Sequence, residues 1–327
     1  MTSSEQVGKV YLVGAGPGHP QLLTLKAYEL VTQADILIYD RLIQEDVLKA
    51  ARADAEQIYV GKQPGRHHAM QDDINTTLVK AAHRAALVVR LKGGDPILFG
   101  RGGEEAEALA AQGIPFEVVP GVTAGLSVPM AASIPVTHRD CSHNVALVTG
   151  HQRGDKENSE PDWEALARMD TLVFFMSVGK LPDIAEKLVE HGLDAQTPAA
   201  VIQQAYWPGE DLVVGTLAEL PGKAQKAGIK PPATIVIGEV VSLRERLSTH
   251  QRDLRRGSEE HVGFGMSAET VLRKASSGLR VAKDLVAAVR LDLFSDLETA
   301  RMPDELAHKR RLNPVALSEV LARLASL

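Results

Sequence analysis

Short apolar runs separated by stretches of helical spacing organise the first 240 or so residues. Runs at 10–13, 36–39, 58–60, 87–91 and 116–119 predict strands, with helical spacing over 23–31, 74–83 and the alanine-rich segment 104–111. Pro120-Gly121 ends this series, and 122–132 predicts a short connecting helix. A second series of strand-like runs follows at 145–149, 172–176, 199–203, 212–215 and 234–241, with helical and loop segments supplied by 179–192 and 219–228. The alternation predicts βαβ units and largely parallel sheets, hence an α/β fold class. Two α/β domains, 1–120 and 121–247, are expected to meet near residue 120 and to leave a cleft where their loops face each other.

From Ser248 the pattern changes. No strand-like run remains, and apolar residues recur at helical spacing over 271–294 and 314–324, with Asn313-Pro314 as a helix start. Residues 248–327 are therefore expected to form a helical C-terminal extension, with Arg252, Arg255 and Arg256 marking the linker.

Composition narrows the function classes. The chain has 327 residues and 44% hydrophobic content, enough to bury a substantial core. Aromatic residues make up 4% and the formal net charge is −6, which argues against a nucleic-acid partner that needs stacked aromatics or a basic face. One cysteine excludes an intrachain disulfide, and without a CxxC pair nothing suggests zinc. The start lacks the basic and apolar regions of a secretory signal, and no apolar run approaches the ~18 residues needed to span a bilayer. A cytoplasmic protein with no membrane partner is expected.

The richest segment runs from Lys92 through Gly93-Gly94-Asp95 and Gly100-Arg101-Gly102-Gly103 to Glu104-Glu105. A strand emptying into so many glycines lets backbone groups approach a ligand closely, and the loop also carries an acid, a base and an acidic pair. A second glycine turn, Gly14-Ala15-Gly16-Pro17-Gly18, follows the first predicted strand, and Asp40 ends the next. That pair suggests an NAD-dependent oxidoreductase, but the spacing GxGxxG would need glycine where His19 stands, and Pro17 stiffens the turn. The plain alternative is an ordinary βα turn. Likewise Lys62 could be a solvated surface lysine, Thr123 a helix cap, Met176 core filler, Arg139 part of a charged turn and His151 a satisfied histidine. His67-His68 could suggest metal, but adjacent residues diverge and no third ligand is suitably spaced.

Taken together, the Lys92–Glu105 loop, Gly14–Gly18, Tyr39-Asp40-Arg41, Val60-Gly61-Lys62, Pro120-Gly121-Val122-Thr123-Ala124, Thr137-His138-Arg139-Asp140 and Val148-Thr149-Gly150-His151 resemble the tetrapyrrole methyltransferases over about residues 8–245. Gln63 departs from the arginine often found at its place, and Gln203-Gln204-Ala205-Tyr206-Trp207 from the family's small residue plus threonine. The resemblance implies S-adenosylmethionine as methyl donor, leaving S-adenosylhomocysteine, and no metal. It implies donor contacts from Pro17, Gly93, Gly94, Asp95, Leu98, Thr123, Ala124, Met176 and Ala205. The implied acceptor is uroporphyrinogen III, methylated at carbons 2 and 7 to precorrin-2 on the way to siroheme, cobalamin or d-type haem. Its carboxylates would meet Arg41, Arg139 and His151. Arg101 would lie nearest the chemistry with Glu104 orienting it, and Asp40 and Lys62 are further acid–base candidates. A homodimer is implied, and no stretch is left for the oxidation and chelation domain of fused siroheme synthases. Another precorrin methyltransferase of the same fold and a non-catalytic tetrapyrrole carrier are the alternatives; a carrier could lose the Lys92–Glu105 loop, which is intact here.

Overall fold

A computed structural model describes residues 7–61, 71–150 and 160–248, all within one compact unit that ends at Arg256. The candidates Lys62, Gln63, His67, His68 and His151, and residues 249–327 of the expected extension, lie outside the described residues.

The first sheet holds β1 (Lys9–Gly14), β2 (Ile36–Tyr39), β3 (Glu56–Tyr59), β4 (Leu87–Lys92) and β5 (Phe116–Val119). Their order is β3-β2-β4-β1-β5 and every pairing is parallel. Four helices connect them: α1 (Leu25–Gln33), α2 (Glu45–Leu48), α3 (Gln71–Ala82) and α4 (Gly102–Ala111). Helix α1 starts where Thr24 Oγ1 accepts the Ala27 amide, and it buries Ala27, Leu30 and Val31, spaced as one helical stripe. Those residues pack on Val13, Val89 and Leu91 on one sheet face. Leu78 of α3 and Leu109 of α4 cover Val10, Leu12, Ile38 and Val88 on the other. Each such aliphatic side chain, removed wholly from water, stabilises the fold by roughly 1.5–3 kcal/mol. The register aligns Gly14 with Lys92 and Val13 with Val119, so the loops after β1, β4 and β5 leave the sheet side by side. Open α/β sheets bind ligands outside such carboxyl ends.

Helix α5 (Ala124–Ala131) follows, and Thr123 caps it by accepting the Gly125 amide. It packs on the second sheet: a side chain on Gly125 would meet the Phe175 ring at 2.5 Å. That sheet contains β6 (Val145–Thr149), β7 (Thr171–Phe175), β8 (Pro198–Gln203), β9 (Asp211–Thr216) and β10 (Ala233–Ile237), in the order β6-β7-β10-β8-β9. Helices α6 (Trp163–Ala167), α7 (Leu181–Glu190) and α8 (Leu220–Ala227) lie between strands, and α9 (Arg244–Leu247) ends the described chain. Phe174, Leu172, Ile235 and Val201 meet Leu181, Ile184 and Leu188 of α7 and Leu220 of α8 in one core.

The expectation of largely parallel sheets fails here. Only β6 and β7 pair in parallel; β7/β10, β10/β8 and β8/β9 are antiparallel. Residues 204–210, which join β8 to β9, are too few for the dozen or so that a parallel crossover needs, so they turn a hairpin. The run 234–241 is also not one strand. It stops at Ile237 because Gly238 adopts φ 142, and residues 239–243 wind into a 3-10 turn. The short helices α2, α6 and α9 hold too few turns to show a sequence period. No helix among the described residues is long and apolar enough to cross a membrane.

Candidate functional site

Three glycines fix the geometry where the sheet loops converge. A side chain on Gly14 would strike Gly121 Cα and Gly94 O at 2.5 and 2.6 Å, and one on Gly121 would strike Gly94 O and Gly14 in turn. Only residues without a Cβ let these backbones approach so closely. The contact is completed by hydrogen bonds from Ala15 N to Lys92 O (2.8 Å), Gly16 N to Gly94 O (3.1 Å) and Gly94 N to Gly16 O (2.7 Å). Asp95 ties the third loop in: its Oδ1 accepts the Ile97 and Leu98 amides, and its Oδ2 accepts the Gly121 amide at 3.3 Å.

Beyond these loops lies a cavity of about 600 Å³, bounded on its far side by the ends of β7, β8 and β10. Sites for small molecules span roughly 300–1,000 Å³. All nine expected donor contacts line it: Pro17, Gly93, Gly94, Asp95 and Leu98 from the first half, and Thr123, Ala124, Met176 and Ala205 from the second. Asp40, Arg41 and Arg101 stand in the same wall. Glu104 does not line it, but its carboxylate takes a forked pair of hydrogen bonds from Arg101 Nε and Nη2 at 2.8 and 2.6 Å. That carboxylate raises the Arg101 pKa above its ordinary value, so the guanidinium stays charged. Arg139 sits exposed in the tight turn His138–Ser142 and is not part of the cavity wall. No group of three or more His, Cys, Asp or Glu among the described residues is placed to hold a metal ion.

Four wall residues that are not glycine adopt left-handed backbone: Phe99 (φ 54), Arg101 (φ 59), Met176 (φ 54) and Gln204 (φ 49). The Phe99 ring meets Phe175 edge-on at 5.2 Å between centroids, joining the Asp95 loop to β7. The hairpin loop joins the halves a second time. Trp207 Nε1 donates to Pro17 O at 3.0 Å and Gln44 Nε2 to Tyr206 O at 3.1 Å, while Tyr206 Oη, donating to Ser127 O at 3.0 Å, anchors the loop on α5 within the second half. Trp207 lines the cavity, and Gly18 leaves it room, since a Cβ there would lie 2.7 Å from the indole Cδ1.

Sequence reasoning singled out Lys92 and Glu105 but missed Arg90 and the burial of all three, of which only Lys92 lines the cavity. Arg90 and Lys92 of β4 and Glu105 of α4 are all buried, Glu105 completely. Glu105 Oε1 accepts from Arg90 Nε at 3.1 Å and Lys92 Nζ at 2.8 Å, while Arg90 Nη2 reaches Asp40 Oδ2 at 3.2 Å. Burial, reinforced by the Arg90 charge, pushes the Lys92 ammonium below its ordinary pKa. Glu105 Oε2 has no hydrogen-bond partner among the described residues, a state that typically costs about 1–3 kcal/mol. The signal was available: two cations spaced i, i+2 inside an apolar strand share one face and need a counter-charge.

Comparison with known proteins bears on what fills the cavity. Residues 9–221 match the family described as tetrapyrrole (corrin/porphyrin) methylases. A siroheme synthase of Thiobacillus denitrificans is 49% identical over 245 residues, covering 75% of this chain and 51% of that protein. The chain thus spans about half the length of the curated relatives it matches. A Thermus thermophilus uroporphyrin-III C-methyl transferase, solved with S-adenosyl homocysteine, aligns with a TM-score of 0.63 and 44% identity over 72% of this chain and 100% of that one. A cobalt precorrin-4 methyltransferase of cobalamin biosynthesis aligns with a TM-score of 0.65 and 28% identity, over 74% of this chain and 99% of that one.

Proposed function

Because the chain belongs to the tetrapyrrole methylases, we propose that it methylates uroporphyrinogen III at carbons 2 and 7, with S-adenosylmethionine as donor, to give precorrin-2. The observation that carries this reading is one cavity in which the glycine-built loop 93–95 and the cations Arg41 and Arg101 share a wall. The sulfonium donor supplies an electrophilic methyl group when bound. Gly93, Gly94, Asp95, Thr123 and Ala124 offer it backbone and small side chains, while Pro17, Leu98, Met176 and Ala205 offer apolar surface. The acceptor is a pyrrole carbon, so no enzyme nucleophile is required. The chain's task is to align that carbon with the methyl group and exclude water.

Arg41 and Arg101 would hold carboxylates of the polyanionic acceptor in charge-assisted hydrogen bonds. His151 is a candidate for the same role from the second half, and Arg139, exposed off the cavity wall, is a candidate only for carboxylates that project beyond that wall. Glu104 presets the Arg101 fork. For the proton that must leave the macrocycle, Asp40 at the wall is the acceptor we favour over Arg101, which stays protonated; Lys62 is the further candidate. The identity to the Thermus enzyme over its whole length favours uroporphyrinogen III over later precorrins. Association with a second copy is part of the proposal, supported by the exposed apolar residues Val122, Leu126 and Met130, four apart along α5 and its approach. Incubation with uroporphyrinogen III and labelled S-adenosylmethionine should yield a product carrying two added methyl groups, each methyl replacing one proton lost. Transfer to precorrin-2 but not to uroporphyrinogen III would refute the substrate assignment.

A further inference from the structure

We propose that Glu105 is a positioning residue that sets the direction of the Asp40 carboxylate through Arg90. The inference rests on the methyltransferase reading of the cavity, in which Asp40 faces the tetrapyrrole. Adjacent acids on α4 point about 100° apart. Glu104 therefore meets Arg101 at the cavity wall, while Glu105 turns into the sheet and is fully buried. There it holds Arg90 by Nε; Arg90 Nη1 donates to Leu91 O at 2.9 Å and Nη2 to Asp40 Oδ2 at 3.2 Å.

A guanidinium is a rigid planar fork, so bonds on all three nitrogens leave it no rotation. Asp40 Oδ1 accepts the Leu42 amide at 3.0 Å, which fixes the second oxygen of the same carboxylate. Its side chain is 27% exposed and lines the cavity, whereas the Arg90 side chain is 3% exposed and does not. Without the Glu105 charge, Arg90 would swing its fork onto Asp40 and occupy both of its oxygens. Glu105 thus keeps one edge of Asp40 turned to the cavity without touching substrate. Lys92 shares Glu105 Oε1, so the two cations divide one buried carboxylate, and Asp40 completes the charge balance.

A merely structural ion cluster predicts altered stability with unaltered kinetics per folded molecule, since buried ion networks can often be exchanged without loss of function. The positioning role predicts a specific kinetic coupling. Melting temperature, S-adenosylhomocysteine affinity, KM for both substrates and kcat are measured on the full chain for Glu105→Gln, Arg90→Lys, Asp40→Asn and the double variant Glu105→Gln/Asp40→Asn. Arg90→Lys keeps the cation but cannot fork to both acids, and it carries the test if Glu105→Gln fails to fold. We expect Glu105→Gln and Arg90→Lys each to lower kcat by about tenfold or more, with S-adenosylhomocysteine affinity within about twofold of wild type. The double variant should be no slower than Asp40→Asn alone, because Glu105 acts only through that residue. Glu105→Asp, which restores the charge, should recover part of the loss. Unchanged kcat in a folded Glu105→Gln or Arg90→Lys protein overturns the proposal, as do single-variant losses that multiply in the double variant. Wild-type protein silent towards every tetrapyrrole would instead refute the methyltransferase reading itself.

Discussion

Adding one methyl group at Gly121 attacks the cavity at its tightest backbone crossing. In Gly121→Ala the new Cβ would overlap the carbonyl oxygen of Gly94 and lie 2.7 Å from both Gly14 Cα and Gly14 C. Ordinary contact begins at 3.4 Å, so the strands must part by about 0.7 Å at least. Neither neighbour is a side chain that can rotate away. Gly94 O also accepts the Gly16 amide at 3.1 Å, so the displacement passes directly into the loop 93–95. Overpacking of this kind destabilises by about 1–3 kcal/mol, and each kcal/mol lowers the melting temperature of a chain this size by roughly 2–4 °C. Misplacing a site by ~1 Å costs about 100-fold in rate. Calorimetric titration with S-adenosylhomocysteine, a thermal melt and labelled methyl transfer read the three effects. Gly222→Ala on α8 is the control: its Cβ meets nothing within 4 Å, and it should stabilise by up to about 1 kcal/mol. A Gly121→Ala protein with wild-type melting and wild-type donor affinity would refute the argument that these glycines exist for close approach.

Saturating S-adenosylhomocysteine at about 100 times its Kd should stabilise the protein by ~2.7 kcal/mol, visible as a raised melting temperature, while NAD should produce no shift; the reverse pattern sinks the donor assignment. Arg101→Ala should suppress methyl transfer by about 30-fold or more with donor binding retained, and wild-type single-turnover rates in the folded variant would remove Arg101 from the reaction. Phe174→Ala, in the core of the second sheet, should lower stability by about 3–5 kcal/mol in denaturant titration, and a change under 1 kcal/mol would mean that this core is not closely packed. Finally, a chain ending at Ser248 should keep its turnover, because the family match stops at residue 221; a soluble, donor-binding but inactive truncation would assign the extension to the active site.

The first sheet was legible because its inner strands β1, β2 and β4, buried largely on both faces, leave continuous apolar runs, and β1, β4 and β5 empty into loops whose glycines announce close approach. The second was half legible. Its runs at 145–149, 199–203 and 212–215 coincide with β6, β8 and β9, but nothing in a run of apolar residues states which way it points. Direction lay in the connections: the seven-residue span 204–210 excludes a parallel crossover, and attention to run composition hid it. Gly93, Gly94, Asp95, Leu98, Thr123 and Ala124 could be named from the sequence as residues that share one cavity wall, because loop chemistry is local. The Asp40–Arg90–Glu105–Lys92 cluster could not be placed in the same way, since it joins residues up to 65 positions apart across two strands and a helix. Arg139 illustrates the converse: its motif was conspicuous, yet the turn that carries it stands off the cavity wall.

The left-handed backbone at Phe99, Arg101, Met176 and Gln204 sets heat resistance against function. For a residue with a Cβ this conformation costs roughly 1 kcal/mol or more, so the four together withhold several kcal/mol from a total stability that is usually about 5–15 kcal/mol. Glycine at any of the four would release that strain while deleting a side chain from the cavity wall. A selection that rewards survival at high temperature, with no demand for turnover, should therefore enrich glycine or asparagine at these positions. The same selection under a requirement for product should leave all four untouched and find its gains elsewhere.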